Sequence, residues 1–307
     1  MLEIEVGDDA GFFQPPRNLL GRLAGFEFID HTHATAVLAL TDQAEGDAIA
    51  AEVFANQALL VPYVMPGFAL AKLVLAHQRH NPDCRAMILL GHGVLTMGDT
   101  AREAYDRMID IVSIAETRLA RGRKQVFPAG PVPSRIAPVS EVAPILRGLL
   151  ADPLDAGEGL YRRPVLAFRG GPAVLDYVNG REVGRYATAG VATPDHVIRI
   201  KPKPLIVPAP VANDLDGFRQ KTETAVAAYG ADYRAYFERH NARHGGGKKR
   251  LDPLPRIVLV PGLGLFAAGQ SARDAGVNAD VFESTLATIR GAESVGRFAG
   301  VAEADLF

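Results

Sequence analysis

Leu90-Gly91-His92-Gly93-Val94-Leu95-Thr96-Met97-Gly98-Asp99-Thr100-Ala101-Arg102-Glu103-Ala104 has a counterpart later in the chain, Pro261-Gly262-Leu263-Gly264-Leu265-Phe266-Ala267-Ala268-Gly269-Gln270-Ser271-Ala272-Arg273-Asp274-Ala275. In both copies an apolar run precedes the glycines and a long helical pattern follows them, so each reads as buried strand, tight turn and helix. Val94–Met97 reads as a strand pairing back on the first. Thr100 and Glu103 stand at the spacing of a capping box that opens the helix. The glycines recur and are architectural. His92 faces Leu263 across the alignment, so the histidine is the added chemistry. The expectation is two related lobes, of which only the first keeps a metal ligand.

Working outward, Phe26–His33, Ala58–Val64 and Cys84–Leu90 read as strands, and Ala34–Leu40, Asp47–Phe54, Phe68–Arg79 and Thr100–Ala120 as helices. Gly11–Pro16 reads as a loop and Asn18–Leu23 as a short helix. Arg121–Pro138 is basic and rich in proline and glycine, which marks a linker or surface loop. Beyond it, Val142–Leu150 reads as helix, Leu166–Phe168 as strand, Gly171–Gly184 as helix and turn, Val197–Ile200 and Leu205–Val207 as strands. Asp214–Arg243 is a long helix, Gly245–Arg250 a solvated tip, Ile257–Val260 a strand and Ser271–Arg290 a helix. The expected division is residues 1–125 for the metal-binding lobe and 126–307 for the second.

The 307 residues are 48% hydrophobic, enough for a sizeable core, and the net charge is −2. That balance argues against nucleic acid or an anionic membrane as a general partner. The single cysteine, Cys84, excludes an intramolecular disulfide framework and suits a reducing compartment. The acidic start Met1–Asp9 lacks the basic and apolar regions of a secretory signal. The most apolar stretch, Ala48–Ala76, is broken by Glu52, Asn56, Pro62, Pro66 and Lys72 and is no membrane span. A soluble cytoplasmic protein is expected.

His31-Thr32-His33 carries the chemistry. Histidines at i and i+2 of an extended segment share one face. A third, His92 on the turn, closes a three-imidazole cup that leaves a coordination position open, as catalytic zinc sites do. The competing reading is three unrelated polar residues at strand ends. Glu27 alternates onto the His31 face and reads as a surface carboxylate or as a substitute base. Asp30 and Asp99 are near in sequence as acceptors behind the rings. Arg199, Lys201 and Lys203 alternate along the expected strand and read as a phosphate-binding row or as a solvated edge. His196 beside them reads as a ligand in a degenerate second site or as a capped or hydrogen-bonded histidine. Gly262-x-Gly264-x-x-Ala267 with Glu283 superficially matches a dinucleotide fingerprint, but recurrence of the same turn at His92 argues against that reading.

These residues resemble the class II aldolase/adducin family: His31-Thr32-His33, the strand Ile88–Leu90, the turn Gly91-His92-Gly93 and the helix from Thr100. Thr193-Pro194-Asp195-His196-Val197-Ile198-Arg199 and Leu259–Phe266 resemble a subgroup of that family, the aldolase half of two-part rhamnulose-1-phosphate aldolase/short-chain dehydrogenase proteins. The resemblance implies a layered α/β/α fold with a central, mainly antiparallel sheet, zinc on His31, His33 and His92, and a homo-oligomer. It implies cleavage of a sugar phosphate, a ketose 1-phosphate, to dihydroxyacetone phosphate and an aldehyde, with a dehydrogenase partner. Two departures accompany it. Arg17 stands where the family carries a glutamate base, and an arginine cannot serve as one near neutral pH. The family's phosphate loops, which would precede this point, are missing. The alternative is a non-catalytic metal-binding or assembly module.

Overall fold

The structure is a computed structural model that describes residues 26–155 and 158–307. The expected loop Gly11–Pro16, the helix Asn18–Leu23 and the position of Arg17 lie outside the described residues.

The first lobe runs β1 (Phe28–Thr32), α1 (Thr35–Thr41), α2 (Gly46–Phe54), β2 (Leu59–Val61), α3 (Phe68–His80), β3 (Ala86–Leu89), β4 (Gly93–Gly98) and α4 (Ala101–Leu119). The second runs α5 (Val139–Leu149), β5 (Asp152–Asp155), β6 (Leu160–Arg162), β7 (Val165–Arg169), α6 (Pro172–Val178), α7 (Val183–Tyr186) and α8 (Pro194–Ile200). It continues with β8 (Leu205–Ile206), α9 (Leu215–Arg243), β9 (Ile257–Val260), β10 (Gly264–Gly269), α10 (Ala272–Val295) and a closing 3-10 turn, Glu303–Leu306.

The two main sheets have one topology. The orders are β1-β4-β3-β2 and β7-β10-β9-β8, each with two antiparallel pairs and one parallel edge pair. In each sheet the period-2 alternation sends successive residues to opposite layers. Ala86 and Ile88 of β3 enter one core with Val37 and Leu40 of α1 and Met108 and Ile111 of α4. Met87 and Leu89 enter the other with Leu70 and Val74 of α3. In the second sheet Ile257 and Leu259 pack with Phe282 and Ile289 of α10, while Val258 and Val260 pack with Leu146 of α5 and Phe218 of α9. Each sheet is therefore sandwiched between helices, the layered α/β/α arrangement. The sequence reads as continuous apolar strands because both faces are buried.

The repeat extends to its smallest devices. Thr100 accepts from the Glu103 amide while Glu103 accepts from the Asp99 amide, and Ser271 and Asp274 repeat both bonds with the Gln270 amide. A Cβ on Gly93 would lie 2.4 Å from the Thr32 carbonyl oxygen, and one on Gly264 would lie 2.3 Å from that of Arg169. At both turns only glycine lets the returning strand pass the edge strand this closely. The Gly262–Gly264 turn thus opens a hairpin rather than a helix, which removes the structural basis of a dinucleotide site.

The lobes meet where α1 packs on α10. Gly291 and Ala39 sit at that contact. Val295 of α10 reaches the first lobe's core. The 245–247 tip is exposed, with positive φ at Gly245 and Gly246. No helix among the described residues is long and apolar enough to cross a membrane.

Candidate metal centre

His31 is near the end of β1, paired across from Leu95, and His33 follows just past the strand. His92 lies in the turn joining β3 to β4, where its amide donates to the Leu89 carbonyl. Gly91 takes φ +64°, and the absence of a Cβ at Gly93 leaves room for the rings of His31 and His33, whose nearest atoms would be 3.2 and 3.1 Å from one. The three rings form a near-equilateral triangle, with centroids 5.0, 5.1 and 5.0 Å apart. One ring nitrogen from each lies within 4.8 Å of the other two.

The tautomer of His31 follows from its partner. Its Nδ1 donates to the Val94 carbonyl at 2.9 Å, and a carbonyl only accepts, so in the neutral ring Nε2 carries the lone pair. His33 is pushed down to about 3, first by burial and then by His31 and His92 beside it. It is therefore an uncharged imidazole across the physiological range, the state a metal ligand requires. His92 is buried, and its Nδ1 has no hydrogen-bond partner among the described residues. Three imidazole nitrogens converging from a strand, its end and a turn form a donor set suited to a divalent cation.

The second lobe reaches into this site. Asp195 Oδ2 lies 3.3 Å from His33 Nε2 and 3.5 Å from His92 Nε2. Its carboxyl is held below the usual carboxylate range, chiefly by His92. His196 is buried, 6.4 Å from the His33 ring, and its Nδ1 donates to Thr285 Oγ1 at 3.0 Å. Burial pushes His196 down to about 4. Tyr63 packs on the turn at Gly91 and is pushed up to about 12, by burial first and by Asp305 and Asp195 after it. The only sequence signal for Asp195 was its place in the Thr193–Arg199 motif; Tyr63 had none.

Other expectations change. Val197–Ile200 is not a strand but the end of α8, because Pro194 presets the first helical turn. Arg199 and Lys201 consequently form no row. Arg199 pairs with Asp274 at 3.7 Å, and Lys201 Nζ is buried, donating to the Asp252 carbonyl and, at 2.7 Å, to that of Leu254. The buried Lys201 is committed to those carbonyls, whereas the Arg199 side chain remains half exposed. Glu27 is exposed, one residue ahead of β1. Glu283, the tempting ribose acid, pairs with Arg169 at 3.1 Å.

Comparison with known proteins places these features. A family model described as the class II aldolase and adducin N-terminal domain matches residues 18–119, and one described as aldolase class II, second domain, matches residues 137–307. A Bacillus subtilis (strain 168) protein named "Uncharacterized oxidoreductase YuxG" is 26% identical over 294 residues, covering 93% of this chain and 41% of that protein. The chain thus spans less than half the length of that relative. A solved structure of the N-terminal class II aldolase domain of a conserved protein from Thermoplasma acidophilum is 36% identical over 34% of this chain and 47% of its own, with a TM-score of 0.30.

Proposed function

We propose a function from one premise: the chain belongs to the class II aldolase and adducin family. In this reading it is a zinc-dependent aldolase that cleaves a ketose 1-phosphate, rhamnulose 1-phosphate or a close analogue, to dihydroxyacetone phosphate and an aldehyde. The observation that carries it is the convergence of the His31, His33 and His92 nitrogens within 4.8 Å. Breaking a carbon–carbon bond beside a carbonyl leaves negative charge on oxygen, and a bound divalent cation supplies the Lewis acid that stabilises it.

The chain's own residues do the rest. Val94 fixes the His31 tautomer, burial keeps His33 uncharged, and the β3–β4 turn sets His92 opposite both. Neutral imidazoles leave the cation's charge undiminished for substrate. The lobe boundary at residues 125 and 126, a homo-oligomeric state, a cytoplasmic location and a dehydrogenase partner belong to the same reading. The last draws support from the name of the longer Bacillus relative.

The test is release of dihydroxyacetone phosphate from rhamnulose 1-phosphate by zinc-loaded protein, lost on chelation. Metal uptake with no turnover on any ketose 1-phosphate overturns the catalytic reading. It favours instead a non-catalytic metal-binding module, which the carboxylate of Asp195 at the rings also supports.

A further inference from the structure

We propose that Asp195 is the fourth ligand of the cation held by His31, His33 and His92, so that a single ion ties the second lobe to the first. The inference rests on the three-histidine reading above and adds a donor from outside that lobe.

The geometry is that of a corner. One oxygen, Oδ2, is nearly equidistant from two ring nitrogens, at 3.3 and 3.5 Å. Both separations exceed the usual N–H···O distance of about 2.9 Å. Donors around one tetrahedral zinc, with bonds of about 2.0–2.1 Å, stand about 3.3 Å from each other along the edges of the tetrahedron. Asp195 therefore stands at a fellow ligand's spacing from His33 and His92, while His31 lies beyond ion-pair distance, so the carboxylate must turn toward His31 to complete the set.

The position is built. Pro194 sets the start of α8 on one side of Asp195. His196 on the other side is buried and donates to Thr285 of α10. The Thr285 hydroxyl in turn donates to the Val281 carbonyl at 3.1 Å, so it is oriented to accept from His196. The same α10 packs on α1, which begins two residues after His33. The chain of contacts from the lobe interface to the carboxylate is continuous. The half-exposed side chain has open solvent available, yet it lies against the rings.

Among the described residues the second lobe has no cup of its own. The strand register equates His31 with Phe168 and His33 with Gly170, and the repeat equates His92 with Leu263. A lobe whose own counterpart positions are apolar or lack a side chain contributes its donor to its neighbour instead. A carboxylate there lowers the site's net charge by one and fills the position a substrate oxygen would take, so substrate binding requires it to move aside or the coordination to expand.

The experiment is titration of cobalt(II), and of zinc in competition, into wild-type chain, Asp195→Asn, Asp195→Ala and His92→Leu, followed by visible ligand-field bands and by thermal unfolding. Wild type is expected to bind one ion per chain and His92→Leu none. Both Asp195 variants should bind at least about tenfold more weakly, the loss typical even of removing a ligand's supporting partner. Their cobalt bands should shift, and their unfolding temperature should rise less on adding metal. Unchanged affinity and bands in the Asp195 variants, or tighter binding, overturn the fourth-ligand assignment and leave the three-histidine site standing. Failure of wild type to bind metal overturns both.

Discussion

Gly291 of α10 lies against Ala39 of α1 so closely that a Cβ at 291 would stand 2.6 Å from the alanine's own. The two residues come from opposite ends of the chain and mark where the lobes touch. Alanine is a better helix former than glycine by about 1 kcal/mol, so Gly291→Ala should stabilise an unconstrained helix. Here the clash dominates, and the variant is expected to lose about 1–3 kcal/mol, the usual cost of overpacking. Urea denaturation measures it. Adding Ala39→Gly should recover most of the loss, and a double variant no better than the single contradicts the contact.

The paired turns allow a controlled comparison. Gly93→Ala and Gly264→Ala both drive a methyl into a carbonyl oxygen, at 2.4 and 2.3 Å. Both should cost stability, about 2 kcal/mol or more, and Gly264→Ala the more of the two, because Gly264 also holds φ +144° while Gly93 takes no positive φ. Only Gly93 also touches the rings of His31 and His33, so zinc uptake should fall in Gly93→Ala and persist in Gly264→Ala. Equal uptake by the two variants would show that the cup tolerates a displaced β4.

Lys201 makes folding depend on pH. Burial first, with Arg256 adding to it, pushes its ammonium down to about 7. Between there and the ordinary lysine range the unfolded chain holds a proton the folded chain has lost, so stability rises with pH over that interval. Below about 7 both states are protonated and the cost of a buried charge is felt in full. The urea midpoint of wild type should therefore climb from about pH 7 to about pH 9.5 more than that of Lys201→Met, in which this slope is removed. Parallel curves for the two proteins contradict the assignment.

Much of this was legible in advance. Apolar runs such as Ile88–Leu90 and Ile257–Val260 announced strands buried on both faces, and recurrent glycines fixed the turns between them. The i, i+2 histidines and the His92–Leu263 difference led to the three rings the fold brings together. Asp195 was not legible as a neighbour of the cup. It lies in the other lobe, and no local periodicity reports a contact made by docking. The α8 segment misled for a related reason. Val197 and Ile198 with flanking charges imitate a strand, while Pro194 sets the helix that forms. Lys201 follows from the same error, since a residue ending a helix, at φ +61°, points elsewhere than one on a strand edge.

Helix α1 is translated well before α10, the helix that covers it. Val37, Leu38, Ala39 and Leu40, all but fully buried in the finished molecule, are translated long before their cover exists. A nascent chain of this protein consequently carries these greasy side chains uncovered until α10 has been made, and its first lobe reaches maturity only then.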